Sequence, residues 1–267
     1  MTAYYNEIDP YAAQWLRNLI AAGHIAPGDV DERSIVEVYA TDLLEYTQCH
    51  FFAGIGGWSH ALRLADWPDE RPVWTGSCPC QPFSAAGKRK GTADDRHLWP
   101  YWFQLIRKLK PVTVFGEQVA SKDALAWFDA VQSDLERESY TVGAVDLPAC
   151  GVGAPHIRNR LWFVGHAVGE RSGRDAGAVL GAQSGFEGGV RGEPDGTQYA
   201  SNARECNGFW SDAEWIYCRD GKRRPAQPGV FPLAHGAAAR VGRLRAYGNA
   251  IVPQVAAEFV AAFLECN

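Results

Sequence analysis

A chain of 267 residues, 46% of them hydrophobic, can bury a sizeable core, which excludes a wholly disordered protein. The net charge of -5 excludes nucleic-acid binding through overall charge, so any such site must be a local basic patch. No apolar run approaches the roughly 20 residues that cross a bilayer, the polar residues 1–7 lack the pattern of an export signal, and seven scattered cysteines read as reduced thiols, so a cytoplasmic protein without a membrane partner is expected.

Residues 4–8 predict a short strand, and Asp9-Pro10 an N-cap with proline in the first helical turn. Ala12, Ala13, Trp15, Leu16, Leu19 and Ile20 give the following helix its apolar stripe, and Gly23 with Pro27-Gly28 ends it just before Asp29. Ile35, Val38, Leu43 and Leu44 predict a second helix over residues 34–46, leading into an apolar strand at 49–53. Gly54-Ile55-Gly56-Gly57 follows at once, and a helix begins at Trp58. A strand, a glycine turn and a helix in that order suit a nucleotide-like cofactor, because glycine lets the backbone approach its ligand. The spacing departs from G-x-G-x-x-G, however, and describes a tight strand-to-helix turn equally well.

A strand at 72–75 then runs into Ser77-Cys78-Pro79-Cys80-Gln81-Pro82-Phe83-Ser84. The pair of cysteines has neither the spacing nor the further ligands of a zinc or redox site, so no metal is expected. Cys80 sits where a strand hands over to a turn and is a candidate nucleophile, while a small buried thiol is as good a reading of this stretch alone. Lys88, Arg89 and Lys90 lie between Gly87 and Gly91, the composition of a lid that touches phosphates or of a solvated charge cluster. A helix at 97–109, a strand at 111–116 ending on Glu117, a helix at 122–137 and a strand at 140–147 are predicted next. Arg158 and Arg160 alternate at the start of the apolar strand 161–164, which points both to one face, where they need anionic or carbonyl partners. Residues 166–208 are glycine-rich with little periodicity and read as a loop-rich insert. From 219 to 245, Arg219, Lys222, Arg223, Arg224, Arg240, Arg243 and Arg245 face a single acid, Asp220, with aromatic residues nearby. This is the local patch that the net charge conceals, and it suits phosphate contact. Gly248-Asn249-Ala250 and an apolar helix at 255–264 close the chain.

Taken together, Phe52-Ala53-Gly54-Ile55-Gly56-Gly57, Pro79-Cys80-Gln81, Glu117-Gln118-Val119, Arg158-Asn159-Arg160 and Gly248-Asn249 resemble, in content and order, the motif series of the DNA cytosine-5 methyltransferases. The resemblance implies an α/β fold with a Rossmann-like sheet, a catalytic and cofactor-binding region at 1–165, a small target-recognition region at 166–235, and a segment at 236–267 returning to the catalytic part. It implies transfer of a methyl group from S-adenosylmethionine to C5 of a cytosine flipped out of duplex DNA, with Cys80 adding to C6, Glu117 at N3, Arg160 at O2 and Arg158 positioning. Glu7, Ile8, Asp29, Val30, Phe52, Ala53, residues 54–57, Pro79, Asn249 and Ala250 are then the cofactor contacts. Gln81, Ser84, Lys88, Arg89, Lys90, Arg219, Lys222, Arg223, Arg224, Arg240 and Arg243 are the DNA contacts. A monomer acting in restriction protection, phage self-modification or regulation is expected. An RNA-directed cytosine-5 enzyme and a silent DNA-binding homologue are the rival readings. A nicotinamide oxidoreductase would leave Cys80, Glu117 and the arginine pair unexplained.

The short stretch from 58 to 78 leaves no room between the glycine and cysteine motifs for the family's acidic segments. Asn6-Glu7-Ile8-Asp9 is instead similar to its ribose-binding segment and Gly28-Asp29-Val30 to its adenine-binding one, so the chain resembles a permuted version of the fold, with its sheet threaded from the second strand outward and then back to the first. Smaller departures are Gln118 in place of asparagine, His50 in place of an acid, and His156 in place of glutamine.

Overall fold

The computed structural model describes residues 2–79, 98–167, 214–217, 223–226 and 250–266. Strand β1 (Thr2–Asn6), helix α1 (Pro10–Ala21) and strand β2 (Gly28–Asp31) make a parallel β-α-β unit. Asp9 caps α1 as expected: its Oδ1 accepts from the amides of Tyr11 and Ala12 at 2.9 and 3.2 Å, and Pro10 fills a first-turn position that needs no N–H. The chain then crosses to the other side of β1 with β3 (Tyr46–Phe51). It continues through α2 (Gly57–Leu64), β4 (Val73–Gly76), α3 (Trp99–Leu109), β5 (Thr113–Val119), α4 (Lys122–Arg137), β6 (Tyr140–Leu147) and β7 (Arg160–Ala167). β8 (Glu214–Tyr217) and β9 (Arg223–Ala226) form a separate antiparallel pair, and α5 (Pro253–Cys266) follows.

The main sheet has the order β2-β1-β3-β4-β5-β7-β6, parallel as far as β5, with β7 antiparallel to both its neighbours. The chain therefore enters the sheet one strand in from the edge, moves out, and returns past its starting point. This is the threading expected if the acidic segments precede the glycine turn.

Alternation along each strand divides the core between two faces. Tyr4, Cys49, Phe51, Trp74, Val114 and Phe163 pack with Trp99, Trp102 and Trp127 of α3 and α4. Val73, Phe115 and Trp162 pack with Trp58 and Leu62 of α2 and Val255 and Phe263 of α5, while Tyr5 meets Leu16 of α1 on that side. A sheet covered on both faces needs nearly unbroken apolar strands, which is how β4 and β5 read. The helix after β3 and the helix after β4 thus lie on opposite faces, the arrangement in which open α/β sheets bind ligands at the carboxyl ends of their strands.

One predicted element is absent. Residues 34–46 form two single 3₁₀ turns, Ile35–Glu37 and Ala40–Leu43, and no helix. The Ser34 amide donates to Glu37 Oε2 (3.2 Å) and the Tyr39 amide to Asp42 Oδ2 (3.0 Å), so the chain is capped twice in nine residues and Val38 between the turns is extended. β-branched Ile35, Val36 and Val38 weaken the helical alternative, and Ile35, Val38 and Leu43 still reach the core.

Candidate active site

Glu7 follows directly on the end of β1 and reaches sideways to the turn after β3. Its Oε2 accepts from the Gly54 amide at 2.7 Å and its Oε1 from the Asp9 amide at 2.8 Å, tying two strand ends together. Gly54 (φ 55) and Gly56 (φ 81) are left-handed, a conformation cheap only for glycine. Phe52 shares it at φ 52 and is strained, a state that persists where surrounding structure enforces it. A methyl group added at Gly54 would meet no described atom within 4 Å, so the turn borders open space, and Ile8 beside it is 64% exposed. The structure thus brings Glu7, Ile8, Phe52, Ala53 and residues 54–57 to one place. Ile251, next to Ala250, packs against the start of α2, where a Cβ on Gly57 would be 2.7 Å from its Cγ1. Asn249 lies outside the described residues.

The two β2 residues are placed differently. Asp29 lies two positions before the carboxyl end of the strand and accepts from the Tyr46 hydroxyl at 3.0 Å, while Val30 packs near Leu19 and Ile20. The carboxylate at the strand end is Asp31, which the sequence reading missed. It accepts from the Tyr4 hydroxyl (2.7 Å) and from Arg33 (2.7 Å), which also reaches Asp42. Burial pushes the Asp31 carboxyl up, but the Arg33 and Tyr4 bonds outweigh it and hold it below the ordinary range.

Glu117 stands two strands away from β3, near the carboxyl end of β5. Gly116 before it lets the Phe163 ring cross β5, since a Cβ there would be 2.0 Å from that ring. β7 starts with Arg160 opposite Val119, at the same end of the sheet as Glu117, and Arg160 Nε lies 2.9 Å from Glu117 Oε1. Glu117 is 7% exposed. Burial pushes its carboxyl up, opposed by the charge of Arg160, a hydrogen bond from the Ser77 hydroxyl and the charge of Arg158, and the net result is a raised pKa.

Arg158 corrects the expectation that both arginines share a strand face. β7 begins only at Arg160, and Arg158 sits in the preceding turn at φ 31, held there because the Ala149 amide bonds the Ile157 carbonyl at 2.6 Å. Its guanidinium donates to the Ala250 carbonyl at 2.6 Å, joining the carboxyl end of the sheet to the segment before α5. Burial and the neighbouring charge of Arg160 lower its pKa.

The chain between these two ends is pinned as well. Buried Gln118 donates from Nε2 to the Cys78 carbonyl (3.0 Å) and accepts at Oε1 from the Val119 amide (2.9 Å), which fixes the backbone two positions before Cys80. The glutamine that replaces asparagine thus grips the cysteine loop. Pro79 is half-buried beside it. Cys80, Gln81, Ser84, Lys88, Arg89 and Lys90 lie outside the described residues, as do Arg219, Lys222, Arg240 and Arg243, while Arg223 and Arg224 are on β9. Behind the glycine turn, His50 shares a hydrogen bond with Thr75 Oγ1 (2.8 Å) and stacks on Tyr5 (4.9 Å). Burial pushes its pKa down to about 3, so it is a neutral core group.

A model of the C-5 cytosine-specific DNA methylases matches residues 65–175, a span that takes in Cys80, Glu117, Arg158 and Arg160. That match spans less than half of the chain. The chain is similar to Type II methyltransferase M.AplI of Arthrospira platensis, 31% identical over 39% of this chain and 30% of that protein. It is similar also to M.HhaI of Haemophilus parahaemolyticus (34% identical, 32% of this chain, 28% of the relative). M.HaeII of Haemophilus aegyptius is 29% identical over 48% of this chain and 42% of its own length. The matched part thus spans well under half of each relative. Among solved structures, a mutant DNMT2 of Spodoptera frugiperda superposes over 61% of this chain and 42% of its own, with 15% identity and a TM-score of 0.42.

Proposed function

We propose that this protein transfers a methyl group from S-adenosylmethionine to C5 of a cytosine in duplex DNA. The observation that carries the reading is the buried Glu117–Arg160 pair beside a cysteine loop pinned by Gln118, with an open glycine turn one strand beyond. Cytosine C5 is a poor nucleophile. Addition of the Cys80 thiolate to C6 makes C5 enamine-like, and a thiolate is the side chain suited to this near neutral pH. The raised pKa of Glu117 favours its role as proton donor to N3 as the thiolate adds, which neutralises the developing charge, and Arg160, paired with that carboxyl at 2.9 Å, would hold the base's O2. Once C5 carries the methyl group, return of the N3 proton to Glu117, loss of the C5 proton to water and departure of the Cys80 thiolate restore the aromatic ring.

The turn fits an adenosine-type cofactor: Gly54 borders open space, Glu7 is anchored beside it and Ile8 is uncovered. Glu7 would take the ribose hydroxyls, Ile8 and Phe52 the adenine faces, and the backbone of residues 54–57 the remainder. Bound S-adenosylmethionine supplies an electrophilic methyl group. A cytosine inside a duplex cannot reach Cys80, so the base is expected to flip out at a cost of a few kcal/mol, with the basic residues of 88–90 and 219–245 on the phosphates.

The test is tritiated-methyl transfer to duplex DNA and to tRNA. Incorporation into DNA, abolished in Cys80→Ala while DNA and cofactor binding persist, is expected. Turnover in Cys80→Ala would refute the nucleophile, and incorporation into tRNA alone would move the substrate to RNA.

A further inference from the structure

We propose that Ser77 is a positioning residue for the Glu117 carboxyl, oriented by Trp58 so that its single hydroxyl proton is committed to that carboxyl. The inference deepens the proposed function and rests on its reading of Glu117 as the acid. An indole N–H can only donate. Trp58 Nε1 lies 3.2 Å from Ser77 Oγ, so that oxygen must accept, and the one proton the hydroxyl carries is left for the Glu117 carboxyl, which leaves the adjacent strand beside it. The indole has little freedom to do otherwise. It is buried, stacked on Phe115 at 6.1 Å, and packed edge-on against Trp162 at 5.4 Å.

The topology explains the meeting. Gly76 of β4 pairs with Gly116 of β5, so the next residue on each strand, Ser77 and Glu117, leave the sheet side by side, and Trp58 rises from the first turn of α2 against the same face as Phe115 and Trp162. Glu117 is therefore gripped from two sides, by Ser77 from the β4 side and by Arg160 from the β7 side. The charged groups that face it among the described residues are Arg160 and Arg158.

The hydroxyl has a chemical use that another cation would not have. Burial by itself strengthens the acid's hold on its proton, and two guanidiniums already pull the other way. A neutral donor trims the balance without adding charge, and it fixes the carboxyl plane toward the base.

The experiment uses the full chain with glutamate carboxyl carbons labelled with ¹³C, the Glu117 signal being assigned by its loss in Glu117→Gln. Ser77→Ala is expected to raise the Glu117 titration midpoint by about one pH unit. Ser77→Thr, which keeps the hydroxyl, should return it to near the wild-type value, and Trp58→Phe should raise it less than Ser77→Ala because the freed hydroxyl can turn to other acceptors. In methyl transfer, the alkaline limb of the kcat profile should move upward in step with the midpoint, while KM for the cofactor stays put. An unchanged midpoint in Ser77→Ala, or an equal shift in Ser77→Thr, overturns the proposal. If Ser77→Ala does not fold, Trp58→Phe alone decides by the same midpoint. The titration is read without turnover, so a protein that transfers no methyl group refutes the proposed function and leaves the positioning claim tested on its own.

Discussion

Glu7 and Glu117 are the same residue type at the carboxyl ends of strands in one sheet, yet they are held in opposite ways. Glu7 is gripped by two backbone amides, from Gly54 and Asp9, at the rim of an open turn. Glu117 is gripped by side chains, Arg160 and Ser77, against a wall of indoles. Amide anchors depend on backbone shape alone and make a rigid ledge that a ligand can rest on. Side-chain anchors in a dry setting make a group whose proton affinity the protein can set. Under the proposed function, the difference assigns holding of the cofactor to the Glu7 end and the reaction to the Glu117 end.

The largest expected effect tests the reacting end. Glu117→Gln should lower kcat about 10²-fold or more with the cofactor Kd unchanged, and a weakened cofactor with normal turnover would reverse the assignment. Next comes the holding end, where Glu7→Ala should raise the cofactor Kd by about tenfold, or 1.4 kcal/mol, and loosen the turn whose amide it accepts from. An unchanged Kd by calorimetry would leave Glu7 a purely structural tie. His50 lies under the holding end and gives a pH signature. Its folded pKa is about 3 against an ordinary 6.5, so below pH 6.5 the unfolded chain binds more protons and stability falls as pH drops. The slope approaches about 1.4 kcal/mol per pH unit in that window. His50→Asn, which can keep the Thr75 bond, should flatten it in denaturant titrations at pH 7 and 5.5, and an equal slope would mean that other groups carry it. The smallest effect concerns affinity for DNA: Arg223→Ala with Arg224→Ala should reduce the slope of log K against log salt by about two, and an unchanged slope would take β9 out of the interface.

Much of this was legible in the sequence because it depends on neighbours along the chain. Asp9-Pro10 announces a capped helix, and the apolar runs that become β4 and β5 announce buried strands. The order of the motifs announces the threading. Where local signals compete, reading fails: the periodicity of residues 34–46 is helical, but two successive caps at Ser34 and Tyr39 break it. Arg158 and Arg160 have strand spacing, yet pairing with Leu147 and Val119 begins only at Arg160. The contacts that shape Glu117 were out of reach altogether, since Trp58, Ser77, Glu117 and Arg160 meet only when α2, β4, β5 and β7 are assembled. Gln118 looked like a departure of doubtful value, and only its bond to the Cys78 carbonyl shows that a longer amide can serve as a clamp.

The threading carries a consequence for how the sheet is made. With the order β2-β1-β3-β4-β5-β7-β6, β1 finds β2 through a single helix, β3 adds to the free margin of β1, and β4 and β5 each add to the margin left free by the strand before. β6 and β7 are antiparallel neighbours in sequence and can join first, then dock as a hairpin through β7. No strand has to be pushed between two that are already paired. A chain emerging residue by residue can lay down its parallel sheet in the order of synthesis, which keeps loop closure short for a topology that usually demands long-range pairing.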